Sequence, residues 1–198
     1  MGKIITIDYE GKKLRVDLDT MKATEVFYPK HFFPKMRVIQ PARELPRAMI
    51  WMTKNLDIDD GEGGITKNPD HPEYGCYYTW EAAKRIADKI PGWHLPTMWE
   101  WDILAAMAGG SDVAGKNLKS KNCWEPDAAG EDVFGFAARP AGYYAACFTG
   151  VGSNAYFWTA SEINSTCAFY RYFCTDASMY SYSHYKYRQY SVRLVKDA

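Results

Sequence analysis

The last quarter of the chain concentrates side chains that are suited to binding a partner rather than to covalent chemistry. Serine, asparagine and histidine separate its tyrosines, and valine, isoleucine and leucine are scarce there. A tyrosine ring offers a large contact area at low entropic cost, and small polar neighbours adapt to a partner, as in antibody loops. The tract therefore predicts a binding face, the alternative being a tyrosine-rich sheet surface without a ligand. Its ten tyrosines are Tyr143, Tyr144, Tyr156, Tyr170, Tyr172, Tyr180, Tyr182, Tyr185, Tyr187 and Tyr190.

Alternation along the tract predicts which side chains share a face. In a strand over residues 168–174, Tyr170, Tyr172 and Cys174 lie on one side. Phe169 and Phe173 lie on the other side. We expect the phenylalanines to point inward and the tyrosines outward.

The following residues repeat this alternation. Tyr180, Tyr182 and His184 are expected on one face of a second strand, and Tyr185 and Tyr187 begin the next turn or strand. Because His184 lies among tyrosines, we interpret it as a surface residue rather than a catalytic one.

Motifs for catalysis or for a cofactor are missing from the sequence. His94 precedes a helix, but no second histidine or carboxylate stands at metal-binding spacing, so a structural histidine is the better interpretation. The patterns GxSxG, HExxH and GxGxxG and the P-loop do not occur. We therefore predict no catalytic residue, no metal and no cofactor.

The cysteines and one short acidic motif point in the same direction. Five cysteines without a CxxC pair fit neither a zinc site nor a complete disulfide framework, which slightly favours a reducing compartment. Glu125-Pro126-Asp127 is similar to the sugar-and-calcium motif of C-type lectins, but Trp158-Thr159-Ala160 replaces its Trp-Asn-Asp partner. Calcium-dependent sugar binding is therefore not favoured.

Length and charge restrict the remaining classes. The 198 residues suffice for one domain with a small appendage, and 24 basic residues balance 24 acidic ones. This balance does not favour nucleic acid as a partner, and no apolar run approaches the roughly 20 residues of a membrane span. Met1-Gly2-Lys3-Ile4 opens directly into a strand-like pattern, so we see no export signal.

The elements that must position the tract divide into two parts. Leu14, Val16 and Leu18 alternate with charged residues, which predicts a β-meander over residues 3–27. A proline-rich linker follows, so we place a boundary near residue 46, between an N-terminal region (1–45) and the main domain (46–198). The meander is a candidate for homo-oligomerisation.

The main domain begins with strand and helix signals. Ile50-Trp51-Met52 predicts a short buried strand, and residues 57–72 predict a loop. Thr79 can cap a helix over residues 80–90, and Thr97 with Glu100 matches the capping box of a second helix. Two helices followed by turn-rich, strand-like sequence predict an α+β domain.

Seven motifs in this order carry a resemblance to a known family. They are Trp51-Met52-Thr53-Lys54-Asn55-Leu56, Tyr74-Gly75-Cys76-Tyr77-Tyr78-Thr79-Trp80-Glu81-Ala82-Ala83, Pro91-Gly92-Trp93-His94-Leu95-Pro96-Thr97, Ala114-Gly115-Lys116-Asn117-Leu118-Lys119-Ser120, Gly135-Phe136-Ala137-Ala138-Arg139-Pro140-Ala141-Gly142-Tyr143, Phe157-Trp158-Thr159-Ala160-Ser161-Glu162 and Ser191-Val192-Arg193-Leu194-Val195-Lys196-Asp197. Residues 46–198 thereby resemble the Fibrobacter succinogenes major paralogous (FISUMP) domain of Bacteroidetes and their phages. The resemblance implies a C-type-lectin-like fold, with two helices and a turn-rich antiparallel sheet, related to the formylglycine-generating enzyme fold.

The resemblance also implies a function. Some proteins of this fold are variable proteins of diversity-generating retroelements, in which mutation of template adenines turns asparagine codons into Tyr, Ser, Asp, His, Cys or Phe. The tyrosine tract resembles that outcome, and Trp158, Glu162 and Val192 would belong to the fixed frame. The expected diversified binding residues are Tyr144, Asn154, Tyr156, Tyr170, Tyr172, Cys174, Tyr180, Tyr182, His184, Tyr185, Tyr187 and Arg188.

Three functional hypotheses follow from the resemblance. The favoured one is a non-catalytic protein that binds a protein or glycan ligand on a cell surface, for phage receptor binding or bacterial adhesion. The second is an undiversified structural or surface module of the same family. The third is an oxidase like the formylglycine-generating enzyme, for which Cys167 and Cys174 are the candidate copper ligands. A phage virion or a bacterial cell surface is the expected location.

Overall fold

The computed structural model describes residues 4–9, 12–17, 22–23 and 49–198. The chain divides between Met49 and Ile50 into two compact units. In the first unit, β1 (Ile4–Tyr9), β2 (Lys12–Asp17) and β3 (Lys22–Ala23) form an antiparallel sheet in the order β1-β2-β3. This arrangement confirms the predicted meander. The proline-rich linker lies outside the described residues, and the boundary near residue 46 stays a prediction.

The second unit is an α+β domain of three helices and several small sheets. Its helices are α1 (Trp80–Asp88), α2 (Met98–Met107) and α3 (Ser111–Leu118). Its strands are β4 (Met49–Trp51), β5 (Ile65–Lys67), β6 (Cys76–Tyr78), β7 (Tyr143–Tyr144), β8 (Phe148–Thr149), β9 (Ala155–Glu162), β10 (Cys167–Phe173), β11 (Met179–Tyr185) and β12 (Val195–Asp197). Strands β11-β10-β9 form a three-stranded antiparallel sheet, and β12-β4, β5-β6 and β7-β8 form two-stranded sheets. None of the helices described is long and apolar enough to cross a membrane.

Local capping signals explain where the first two helices begin. The hydroxyl of Thr79 accepts a hydrogen bond from the amide of Ala82 at the start of α1. At the start of α2, Thr97 accepts from the Glu100 amide, and the Glu100 carboxylate accepts from the Thr97 amide. The predicted caps of both helices are therefore confirmed.

The prediction of only two helices is wrong, because α3 follows α2 after two glycines. Its N-cap is Gly110, which has no side chain to announce a helix start. In the middle of α3, a Cβ on Gly115 would lie 2.2 Å from the Ser178 carbonyl oxygen. The adjacent Lys116 amide donates to the Ala177 carbonyl. Glycine at position 115 thus permits close contact between α3 and the β10–β11 loop.

Two further expectations for the start of the domain need correction. Strand β4 is only partly buried, since Ile50 is 43% exposed, whereas a buried strand was expected. The segment 57–72, expected to be a loop, contains β5, which pairs with β6. Short edge strands of three residues leave too little periodic sequence for either feature to be recognised.

Both faces of the three-stranded sheet pack against a hydrophobic cluster. One cluster contains Trp80 of α1, together with Trp158 and Tyr190. The other contains Trp101 of α2, together with Phe157 and Phe173. Consequently, side chains on either face of the sheet are inside where a helix or the C-terminal segment covers them.

A buried arginine connects segments of the second unit that are distant in sequence. Arg193 is fully buried, and its guanidinium donates to the Asn55 side chain at 2.7 Å and to the carbonyls of Met52, Phe136 and Ala137 at 2.8, 2.6 and 3.0 Å. Burial lowers the pKa of Arg193 to about 9. These hydrogen bonds fix the C-terminal segment that lies over the sheet.

Candidate binding face

The register of the three-stranded sheet brings tyrosines of different strands side by side. On β10, Tyr172 is opposite Tyr156 of β9 and Tyr180 of β11. Tyr170 is opposite Tyr182 of β11. Directly opposed residues project from the same face of a sheet. The expected alternation is therefore confirmed for Tyr170 with Tyr172 and for Tyr180 with Tyr182, and Tyr156 of β9 projects from the same face.

Their rings contact one another across the strands. The ring centroids of Tyr172 and Tyr156 are 4.9 Å apart, and those of Tyr172 and Tyr180 are 6.1 Å apart. Tyr180 and Tyr182 stack at 6.0 Å with an interplanar angle of 21°. Such separations are those of favourable aromatic pairs. The four rings form a row in which Tyr182 is 50% exposed, whereas Tyr156 and Tyr172 are partly buried against the core cluster of Trp158 and Tyr190.

Two further exposed rings lie at the end of β11 and beyond it. Tyr185 is the last residue of β11 and is opposite Cys167, so it leaves the strand on the side away from Tyr180 and Tyr182, and Tyr187 lies in the turn that follows. Tyr185 and Tyr187 stack at 5.4 Å and are 50% and 66% exposed. The Arg188 guanidinium lies 5.8 Å from the Tyr187 ring and 5.6 Å from that of Tyr143. Tyr143 in turn contacts Tyr156 at 5.1 Å. We call the resulting surface the tyrosine face; it consists of Tyr143, Tyr156, Tyr172, Tyr180, Tyr182, Tyr185, Tyr187 and Arg188.

The expectation that Tyr170 points into solvent is wrong. It is only 9% exposed, and its ring lies 4.9 Å from that of the buried Tyr190 and 6.3 Å from that of Trp158. The C-terminal segment covers this end of the face, which strand alternation alone does not reveal. Burial raises the pKa of Tyr170 to about 12. Tyr170 therefore belongs to the core beneath the tyrosine face.

The other face of β10 also differs in part from expectation. Phe173 is fully buried as predicted, but Phe169 is only half-buried. The β9–β10 register shifts between Ala168 and Tyr170, where an irregularity interrupts the pairing. Cys174 follows the last residue of β10, so it lies in the loop rather than on the strand.

A buried lysine fixes the β10–β11 loop at one edge of the tyrosine face. The Lys119 ammonium donates to the carbonyls of Cys174, Thr175 and Asp176 at 2.9, 3.4 and 2.8 Å. Burial lowers the pKa of Lys119, and the negative charge of Asp176 opposes this shift. The Tyr180 hydroxyl donates to the Asp176 carboxylate at 2.7 Å. The loop thus holds Tyr180 at a fixed position.

A second lysine fixes the turn that follows Tyr185 and carries Tyr187 and Arg188. The Lys186 ammonium lies 4.1 Å from the centre of the Trp80 ring and forms an ion pair with Glu162. The hydrogen bond from Lys186 lowers the pKa of the Glu162 carboxyl. Because Lys186 and Trp80 anchor the turn, its exposed rings need no core contact of their own.

The remaining candidate residues lie around this surface. Asn154 accepts a hydrogen bond from the Tyr172 hydroxyl at 2.6 Å, so it supports one ring of the tyrosine face. His184 is half-buried, and burial followed by the charge of Arg188 lowers its pKa. The ring of Tyr144 contacts that of Phe148 at 5.0 Å, in a separate cluster.

Tyr143 is not among the binding residues expected from the sequence, although it contacts Tyr156 and Arg188. It lies in a strand of two residues, where alternation gives no information about direction. Its position at the start of the tyrosine tract was the available signal.

His94 and the cysteines are the side chains that could serve metal binding or catalysis. His94 forms a hydrogen bond with Glu100 at 2.6 Å, as expected for a structural histidine. All five cysteines are free. Cys167 is the first residue of β10 and Cys174 follows its last residue, and the six steps from Cys167 to Phe173 along a strand span about 20 Å. Among the described residues, no group of three or more His, Cys, Asp and Glu side chains is arranged to hold a metal ion.

The fold and the site thus define a class of protein: a small α+β domain that displays tyrosines from an antiparallel sheet. A family model described as the Fibrobacter succinogenes major domain matches residues 48–196. The chain belongs to this family. Searches of curated proteins and of solved structures found no match.

Proposed function

We propose that this protein is a non-catalytic binding protein whose tyrosine face recognises a protein ligand. The observation that carries the proposal is the set of contacting rings, joined through Arg188, that ends in the exposed Tyr182, Tyr185 and Tyr187. Tyrosine and arginine are enriched among the residues that dominate protein–protein binding energy. The tyrosine face combines both residue types on anchored elements.

The same surface is suited to diversification, which we propose as the second part of the function. Tyr182, Tyr185 and Tyr187 are at least 50% exposed, whereas Trp158 and Val192 of the expected fixed frame are fully buried. Exposed substitutions typically change stability by no more than about 0.5 kcal/mol. The proposed C-type-lectin-like fold would thereby keep its core while a retroelement changes the tyrosine face.

The DNA beside the gene tests diversification. We expect a near-identical template repeat, with adenines at the codons for Tyr182, Tyr185 and Tyr187, next to a reverse-transcriptase gene. A flanking region that lacks both the template repeat and the reverse-transcriptase gene refutes diversification. It favours the undiversified module, whose gene copies differ no more in the tyrosine tract than elsewhere.

Ligand binding is tested separately. The immobilised protein is incubated with surface proteins of candidate host bacteria and compared with the triple variant Tyr182→Ser, Tyr185→Ser and Tyr187→Ser. We expect a protein that the wild type retains and the triple variant loses. Phe134→Ser is the matched control, because Phe134 is 50% exposed but lies outside the tyrosine face. Equal retention by all three proteins refutes binding through this face.

The copper-oxidase alternative is not favoured by the geometry. Strand β10 spans about 20 Å from Cys167 to Phe173, the residue before Cys174, and ligands of one metal ion must lie within a few Å of it. Copper titration followed by absorbance distinguishes the two proposals. Stoichiometric binding that Cys174→Ser abolishes would restore the oxidase hypothesis.

The N-terminal meander is our candidate for bringing several copies together. Joining weak faces raises the overall affinity without new contacts. Light scattering of the full chain is expected to give a multiple of the 22.6 kDa chain mass. A monomer at all concentrations contradicts this part of the proposal.

A further inference from the structure

Arg188 is held in the tyrosine face by aromatic rings rather than by hydrogen bonds. Its guanidinium lies between the rings of Tyr143 and Tyr187. Arg85 donates to Asp60, and Arg171 donates to Asp102. In contrast, within the part of the chain that the structure describes, the side chain of Arg188 donates no hydrogen bond. The two terminal amino groups of its guanidinium are therefore held near the rings without a hydrogen-bond acceptor among the described residues.

The charge of Arg188 also lacks a compensating carboxylate. No Asp or Glu oxygen among the described residues lies within 4.0 Å of its nitrogens. Its Nε atom is buried without an acceptor, and the side chain as a whole is half-buried. Removing a cation partly from water without pairing it is unfavourable. An anion supplied from outside would offset this cost.

We infer that Arg188 receives a carboxylate side chain of the protein ligand. This inference rests on the proposed function and assigns a subsite within the tyrosine face. A guanidinium matches a carboxylate with two parallel hydrogen bonds, which gives direction as well as energy. The Tyr187 ring, which stacks on Tyr185, lies 5.8 Å from the guanidinium and can cover the aliphatic part of a glutamate or aspartate side chain.

The charge surrounding Arg188 supports an anionic rather than a cationic ligand group. Burial and then the charge of Arg188 lower the pKa of His184. Lys186 precedes Tyr187 in the same turn, but its charge is paired with Glu162. Arg188 is consequently the unpaired charge of this turn.

NMR titration with small probes tests the subsite on the full chain. The probe is N-acetyl-glutamate amide, and its neutral isostere N-acetyl-glutamine amide is the comparison. We expect the glutamate probe to shift the Arg188 Nε–H and the His184 ring signals, and the glutamine probe to bind at least about tenfold more weakly. Arg188→Gln is expected to lose the same factor.

Arg139→Gln is the matched control, because the half-buried Arg139 also donates no side-chain hydrogen bond among the described residues and is not part of the tyrosine face. It should bind the glutamate probe like the wild type. Equal binding of both probes, or unchanged binding by Arg188→Gln, overturns the inference. A response to methyl glucuronide without one to the glutamate probe assigns the subsite to acidic glycans and also overturns it. Retention of a surface protein by the wild type, lost in the triple tyrosine variant, would show that the proposed function survives that failure.

Discussion

Replacing Tyr170 should destabilise the protein far more than replacing Tyr187, although both residues belong to the same tyrosine-rich tract. Tyr170 is 9% exposed and packs against Tyr190 and Trp158, whereas Tyr187 is 66% exposed. Truncating a buried aromatic ring to alanine costs about 3–5 kcal/mol, because the contacts are lost and a cavity remains. We therefore expect that loss for Tyr170→Ala and at most about 0.5 kcal/mol for Tyr187→Ala.

Urea denaturation followed by tryptophan fluorescence measures both free energies of unfolding. For a domain of this size, the loss at Tyr170 corresponds to a fall in Tm of about 6–20 °C. Tyr170→Phe separates the ring from the hydroxyl, which forms no hydrogen bond with the described groups, so this variant should remain within about 1 kcal/mol of the wild type. Equal losses for the two alanine variants, or a loss in Tyr170→Phe as large as in Tyr170→Ala, would refute the assignment of Tyr170 to the core.

Three further predictions concern the groups that hold the tyrosine face in place. Arg193→Met should lower the free energy of unfolding by about 3–5 kcal/mol in urea denaturation, because buried acceptors lose a charged donor, and Arg193→Lys should restore only part of the loss. An unchanged free energy of unfolding in Arg193→Met contradicts the proposed role of these hydrogen bonds. Lys119→Met should increase hydrogen exchange at residues 174–178 at least about tenfold, because the three loop carbonyls lose their donor; unchanged exchange contradicts this. The raised pKa values of Tyr170 and Tyr190 contribute stability that is present below the ordinary tyrosine pKa of about 10 and is lost as the pH rises above it. The urea midpoint should therefore be lower at about pH 11 than at about pH 8. A constant midpoint would show that these rings are not buried.

Features encoded by neighbouring residues could be predicted from the sequence. The Thr79 cap and the Thr97–Glu100 capping box mark the first two helices, since every partner lies within one turn. Alternation likewise places Tyr170 with Tyr172, and Tyr180 with Tyr182, on one side of their strands.

Features that depend on distant segments could not be predicted in this way. Helix α3 tolerates Gly115 because the backbone at Ser178 packs against it, and this contact joins residues that are far apart in sequence. The burial of Tyr170 requires Tyr190, which covers one end of the sheet. Alternation identifies the shared face of a strand, but only tertiary packing decides which part of that face remains accessible.

The central claim is that the tyrosine face can change while the core beneath it maintains the fold. Two libraries, displayed on yeast and sorted for folded protein with a conformation-specific antibody against a distant surface, test it most directly. The first library randomises the face positions Tyr180, Tyr182, Tyr185, Tyr187 and Arg188. The second library randomises the buried positions Trp158, Tyr170 and Tyr190.

We expect most members of the first library to remain folded and most members of the second to be lost, because only the second removes core packing. Similar folded fractions in the two libraries, or a greater loss in the first, would contradict the account.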